Sequence, residues 1–187
     1  SKATLSASRK ADGVPPLQRI VVGVDPSGGG DDIGIVVAGV GFDGHAYVVE
    51  DRTQPGGRGS LNWGREAVQA YMDWDADRIV GERNFGGDMV ESNIRVAAAQ
   101  MGAGHVSYKD VPASRGKAVR AEPVASLFED RRAHLCGTLP QLESELTGWV
   151  PATSKESPNR LDAMVWALTE LAIKGGRRAQ VSDVKYN

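Results

Sequence analysis

Three carboxylates stand where apolar elements meet an edge. Asp25 closes the run Arg19-Ile20-Val21-Val22-Gly23-Val24-Asp25, and Glu82 closes Arg78-Ile79-Val80-Gly81-Glu82. Asp162 opens Arg160-Leu161-Asp162-Ala163-Met164-Val165-Trp166-Ala167-Leu168. A carboxylate at the end of a buried strand is costly unless something compensates its charge. Three of them, far apart in the chain but similarly placed, point to a shared cation. Hard divalent ions such as Mg²⁺ take oxygen ligands from Asp and Glu, so the chemistry expected is metal-dependent chemistry on phosphate. Each acid also has a plainer reading. Asp25-Pro26 can start a turn, Glu82 can pair with Arg83, and Asp162 can be a first-turn carboxylate favoured by the helix dipole. Their joint placement favours the metal.

Other chemistries are weakly supported. His45, His105 and His134 have no zinc-site spacing with the single cysteine, Cys136, and read as structural. Gly28-Gly29-Gly30 could cradle a phosphate, but a strand rather than a helix follows, so a hairpin loop is expected. Ser114-Arg115-Gly116-Lys117-Ala118 lacks the first glycine and the hydroxyl residue of a nucleotide-binding loop. Asp31 and Asp32 read as solvated, one of them a candidate outer carboxylate. Cations do gather near the acids in sequence: Arg83, Arg115, Lys117, Arg120, Lys155 and Arg160. Some of these are expected to be solvated surface charge. Arg83, Arg115, Lys117, Arg120 and Arg160 are the candidates for contact with a phosphate backbone.

Positioning the acids needs a particular set of elements. Strands are expected at 19–25, 33–41 and 45–51, the last two joined by the tight turn Phe42-Asp43-Gly44. Trp63, Ala67, Tyr71 and Trp74 repeat at helical spacing in a segment that Ser60 can cap. Strand 78–82 follows, then a helix over 87–101, a strand over 104–108, a helix over 114–132, a short strand over 133–136 and a helix over 138–148. A last helix is expected from Ser157-Pro158 to Lys174, stopped by Gly175-Gly176. An antiparallel meander followed by alternating helices and strands gives an α/β mixed sheet with helices on both faces. That is the layout of the ribonuclease H-like fold, in which an acid on the first strand, one on the fourth and one on the final helix converge.

The chain has 187 residues, 41% of them hydrophobic, which suits one domain with a real core. Residues 1–18 read as a flexible arm or linker remnant, 19–174 as the domain and 175–187 as a loose tail. A net charge of −2 shows no global pull on nucleic acid, so contacts with it must be local. One cysteine excludes an internal disulfide. No apolar run approaches the ~20 residues of a membrane helix, and no membrane partner is expected.

Four blocks resemble the C-terminal nuclease domain of the large terminase subunit of tailed bacteriophages. They are Val22-Gly23-Val24-Asp25-Pro26-Ser27, Gly81-Glu82-Arg83-Asn84-Phe85-Gly86-Gly87-Asp88-Met89-Val90, Gly116-Lys117-Ala118-Val119-Arg120-Ala121-Glu122-Pro123-Val124, and Ser157 through Leu168. The second and fourth are the more specific. The resemblance implies an endonuclease that cuts concatemeric viral DNA in genome packaging. It maps metal-binding acids onto Asp25, Glu82 and Asp162, and a lysine near substrate phosphate onto Lys117. Two Mg²⁺ or Mn²⁺ ions are then expected. Asp25 would bridge them, Asp162 would hold the ion that activates water, and Glu82 the ion at the leaving oxygen. Implied partners are double-stranded DNA, a terminase ATPase domain, a small terminase subunit and a portal, in the host cytoplasm. No nucleotide-binding loop is present, so ATP hydrolysis is not expected of these residues. Two alternatives stay open: another ribonuclease H-like nuclease such as a junction resolvase, and a DNA- or portal-binding module with little activity of its own.

Overall fold

The computed structural model describes residues 1–10, 12–26, 32–56, 62–83, 89–111, 117–149 and 158–173. In chain order its elements are α1 (Lys2–Ser8), β1 (Leu17–Asp25), β2 (Gly34–Gly41), β3 (Ala46–Asp51), α2 (Asn62–Asp73), β4 (Arg78–Glu82) and α3 (Met89–Met101). They continue with β5 (Tyr108–Val111), α4 (Lys117–Glu129), β6 (Ala133–Leu135), α5 (Pro140–Gly148) and α6 (Asn159–Leu168), which runs into a π-helical turn, Thr169–Ile173.

The sheet order is β5-β4-β1-β2-β3-β6. The β1–β2 and β2–β3 pairs are antiparallel, while β4, β5 and β6 join in parallel to β1, β4 and β3. Alternation along the strands sorts the core into two layers. Val21, Val36, Ala38 and Val80 pack under α6 together with Val124 and Phe128 of α4 and Leu142 of α5. Val22, Val24, Ile35 and Ile79 face α2 and α3 through Trp63, Ala67, Val68 and Ile94. The expected ribonuclease H-like mixed sheet with helices on both faces is the fold observed.

The backbone of α6 approaches the two central strands closely. A Cβ on Gly23 would strike the carbonyl oxygen of Ala163, and one on Gly34 that of Asn159. Only glycine lets a helix backbone settle this closely on a sheet. α6 is therefore seated directly on β1 and β2.

Three expectations need correction. The strand placed at 104–108 lies at Tyr108–Val111 instead. Gly102 and Gly104 take positive φ and turn the chain, so the parallel ladder with β4 starts only at Ile79↔Tyr108. Lys109 and Asp110 fall inside a strand because β5 is the sheet edge, where polar residues are tolerated. The segment 1–18, expected to be a flexible arm, contains α1, whose Leu5 joins the core. It also contains Lys10, which bridges Cys136 beside β6, and the first two residues of β1. Thirdly, the last helix changes pitch at Thr169. The expected C-terminal tail at 175–187 lies outside the described residues.

Candidate metal centre

β1 and β4 run in parallel with Val24 opposite Gly81, so the next residues, Asp25 and Glu82, end neighbouring strands side by side. Two-residue alternation places Asp25 on the face of Gly23, beneath α6. The same rule places Glu82 on the face of Val80, which packs in the α6 layer. Asp25 is also registered with Gly34, over which the first turn of α6 sits. Asp162 lies in that first turn. All three acids thus occupy one edge and one face of the sheet. Asp25 and Asp162 are only 6% and 5% exposed, and Glu82 is half-buried.

Three oxygen donors on one edge, two of them almost enclosed, suit a hard divalent cation better than a soft one. Among the described residues no three His, Cys, Asp or Glu side chains close into a ligand set that could grip an ion. Like charges repel, so drawing the carboxylates together costs free energy that a bound cation offsets.

The expected cations have diverse places. Arg83 directly follows Glu82, is 62% exposed and pairs with Asp110 at 3.0 Å. Lys117 opens α4, and its side chain lies outside the described set, as do Arg115, Asp31 and Gly28-Gly29-Gly30. Arg120 stands over the Trp166 ring, 4.5 Å from its centre, at the contact of α4 with α6. Arg160 points inward. Its guanidinium bonds Asp51 Oδ2 at 3.1 Å, Asp32 Oδ2 at 3.0 Å and Glu145 Oε1 at 3.0 Å. With three carboxylates around it, Arg160 does not stand as a free contact for DNA.

Sequence reasoning passed over several charged groups. Asp51 ends β3 at the same sheet edge as Asp25 and lies on the α6 face, registered with Val36. The signal that picked out Asp25 and Glu82 was there too, a strand ending in a carboxylate. Glu145 of α5 had no such signal. Burial pushes its carboxyl up against the opposing pull of Arg160. Glu170 of the π-helical turn, 3% exposed, is held by Arg19, Arg78 and Lys109 at 3.3, 2.9 and 2.9 Å. Burial would raise its carboxyl, but Lys109 first and then the two arginines hold it below the usual carboxylate range. Of the three histidines, His45 and His134 stack and hydrogen-bond with each other. His134 donates its Nδ1–H to the Ser8 carbonyl and meets His45 Nδ1 through Nε2, at 2.8 Å each, and burial lowers its pKa.

Residues 22–171 match the family model described as the terminase RNaseH-like domain. No curated protein sequence matches the chain. Among solved structures it is similar to the nuclease domain of the P22 large terminase, with 12% identity and a TM-score of 0.67, covering 95% of each chain. It is also similar to the nuclease domain of the large terminase from bacteriophage SPP1, solved with bound Mn, at 16% identity and a TM-score of 0.55. That match covers 82% of this chain and 87% of the other. The yeast mitochondrial Holliday junction resolvase follows the same path at 11% identity and a TM-score of 0.57, covering 88% of this chain and 82% of the other. At such identities the likeness is one of fold.

Proposed function

Because the chain belongs to the terminase RNaseH-like domain family, we propose that it is a divalent-metal-dependent endonuclease that cuts concatemeric double-stranded viral DNA during genome packaging. The observation that carries this reading is the gathering of Asp25, Glu82 and Asp162 on one edge and one face of the sheet. These three would hold a pair of Mg²⁺ or Mn²⁺ ions. Bound there, such ions polarise the phosphate and lower the pKa of water at the scissile bond. The protein's part is to supply oxygen donors at fixed places and to keep them dry. Asp25 is central in the row, flanked by Glu82 on β4 and Asp162 on α6, and the three would supply the oxygen donors. No protein nucleophile is needed. Lys117 at the start of α4 and Arg83 beside Glu82 are the proposed contacts to the DNA backbone. An ATPase domain, a small terminase subunit and a portal are the proposed partners, in the host cytoplasm.

The test is a supercoiled plasmid incubated with the protein and millimolar Mn²⁺. Nicked and linear products that EDTA suppresses are expected. An intact plasmid at high protein concentration would leave a binding module in place of an enzyme. The likeness to a resolvase supports one second reading, a junction-selective nuclease. Cleavage of a four-way junction well ahead of linear duplex would favour it.

A further inference from the structure

The three residues before Asp162 each tie the start of α6 to neighbouring segments, sharing Asp32 and Glu145 between them. Asn159 donates its side-chain amide to the Asp32 carbonyl. Arg160 holds Asp32, Asp51 and Glu145. The Leu161 N–H donates to Glu145 Oε2 at 3.1 Å. The first N–H groups of a helix have no partner within it. Here the N-cap residue is Pro158, with no side-chain cap. Glu145 supplies the missing acceptor, and Arg160 fixes Glu145 by its other oxygen. The guanidinium, 15% exposed, therefore links α6 to β3, to the entry of β2 and to α5 at one point.

We propose that Arg160 is a positioning residue of the metal centre, holding the first turn of α6 so that Asp162 meets Asp25 and Glu82 when a divalent ion binds. This rests on the nuclease reading above. Arginine suits the task because its planar fork can serve several carboxylates in fixed directions, which lysine cannot. Outer groups that orient metal-binding side chains commonly matter ten- to a hundredfold in metal affinity.

Electrostatics alone makes the opposite prediction. Removing Arg160 takes a counter-charge from Asp32, Asp51 and Glu145 near the acids, and a more negative site draws divalent cations more strongly. The sign of the change thus separates positioning from charge.

The experiment is calorimetric titration of Mn²⁺ into wild type, Arg160→Met, Arg160→Lys and Glu145→Gln, after melting curves in EDTA confirm that each is folded. Expected are a roughly tenfold or greater loss of Mn²⁺ affinity in Arg160→Met, little recovery in Arg160→Lys, and a smaller loss in Glu145→Gln. Plasmid cleavage should lose kcat with KM for DNA unchanged. Mn²⁺ binding as tight as wild type or tighter in Arg160→Met overturns the inference. So does weakened DNA binding with intact Mn²⁺ affinity, which would return Arg160 to the DNA backbone. Should Arg160→Met not fold, Glu145→Gln decides by the same titration, and wild-type affinity there overturns the inference. A wild-type protein that binds no Mn²⁺ overturns the nuclease reading itself, and the inference with it.

Discussion

The two ends of the last helix are electrostatic opposites. At its first turn one cation, Arg160, serves three carboxylates, with Asp25, Glu82 and Asp162 close by. At its π-helical end one carboxylate, Glu170, serves three cations. Both ends lie on the same face of the same sheet. The Glu170 end brings its own counter-charge from β1, β4 and β5, and the chain completes it. At the Asp162 end Asp32, Asp51 and Glu145 share Arg160, and Asp25, Glu82 and Asp162 stand beside them. Buried charge held by cations of the chain supports the fold, whereas the acids gathered at the strand ends are where, on the reading proposed above, a divalent cation would bind.

The largest effect should come from emptying the acidic end. Asp25→Asn or Asp162→Asn should cut plasmid cleavage about a thousandfold or more. In metal-free buffer either variant should melt at or above the wild-type temperature, because mutual repulsion is relieved. Mn²⁺ should raise the melting temperature of wild type and not of the variants. Destabilisation of both variants in EDTA would show that the acids answer to cations within the protein, and the contrast between the two ends would fail.

The opposite end should respond in stability. Glu170→Gln leaves three cations facing one another around a buried amide, at a cost of about 3 kcal/mol. The cations are each about a third exposed, so water offsets part of that loss. Denaturant melts would measure it, and cleavage by the folded variant should stay within about twofold of wild type.

The pH dependence sharpens the comparison further. Glu170 has a depressed pKa in the folded protein. The stability it contributes is therefore complete above its unfolded pKa and lost as pH falls through its lower folded value. The melting gap between wild type and Glu170→Gln should be full at neutral pH and close at acid pH, below about 4. A gap that does not change down to strongly acid pH would mean that packing, not charge, holds this end.

The smallest effect is expected at the exposed Arg83. Arg83→Ala should cost less than about 1 kcal/mol, since its pair with Asp110 is solvated. It should also make DNA binding less dependent on salt by about one phosphate contact. An unchanged salt slope would remove Arg83 from the DNA face.

Much of this was legible in the residues, for local reasons. Apolar runs ending in Asp25 and Glu82, and an apolar helical segment opening at Asp162, are written in contiguous stretches. What was missed depends on distant partners. α1 is seven residues long with one leucine in the core, and nothing in Lys2–Ser8 announces that β6 and α4 lie against it. β5 hid because an edge strand can carry Lys109 and Asp110. Arg160 was visible as a cation beside an acid, and so was read as facing DNA. That Asp32, Asp51 and Glu145 converge on it is a property of three other segments. Asp51 was legible in principle, as a carboxylate at the end of an expected strand.

The glycine-mediated seating of α6 on β1 and β2 also has a consequence in time. Asp25 belongs to one of the earliest strands and Asp162 to the latest helix, so their meeting closes a loop of most of the domain. Contacts of such long sequence separation form slowly and late. A chain still emerging from the ribosome can pair β1, β2 and β3 before α6 has been synthesised. Such an intermediate holds Asp25 without Asp162. On the nuclease reading proposed above, cleaving ability would arrive with this final docking step, and a chain lacking α6 is expected to leave DNA intact.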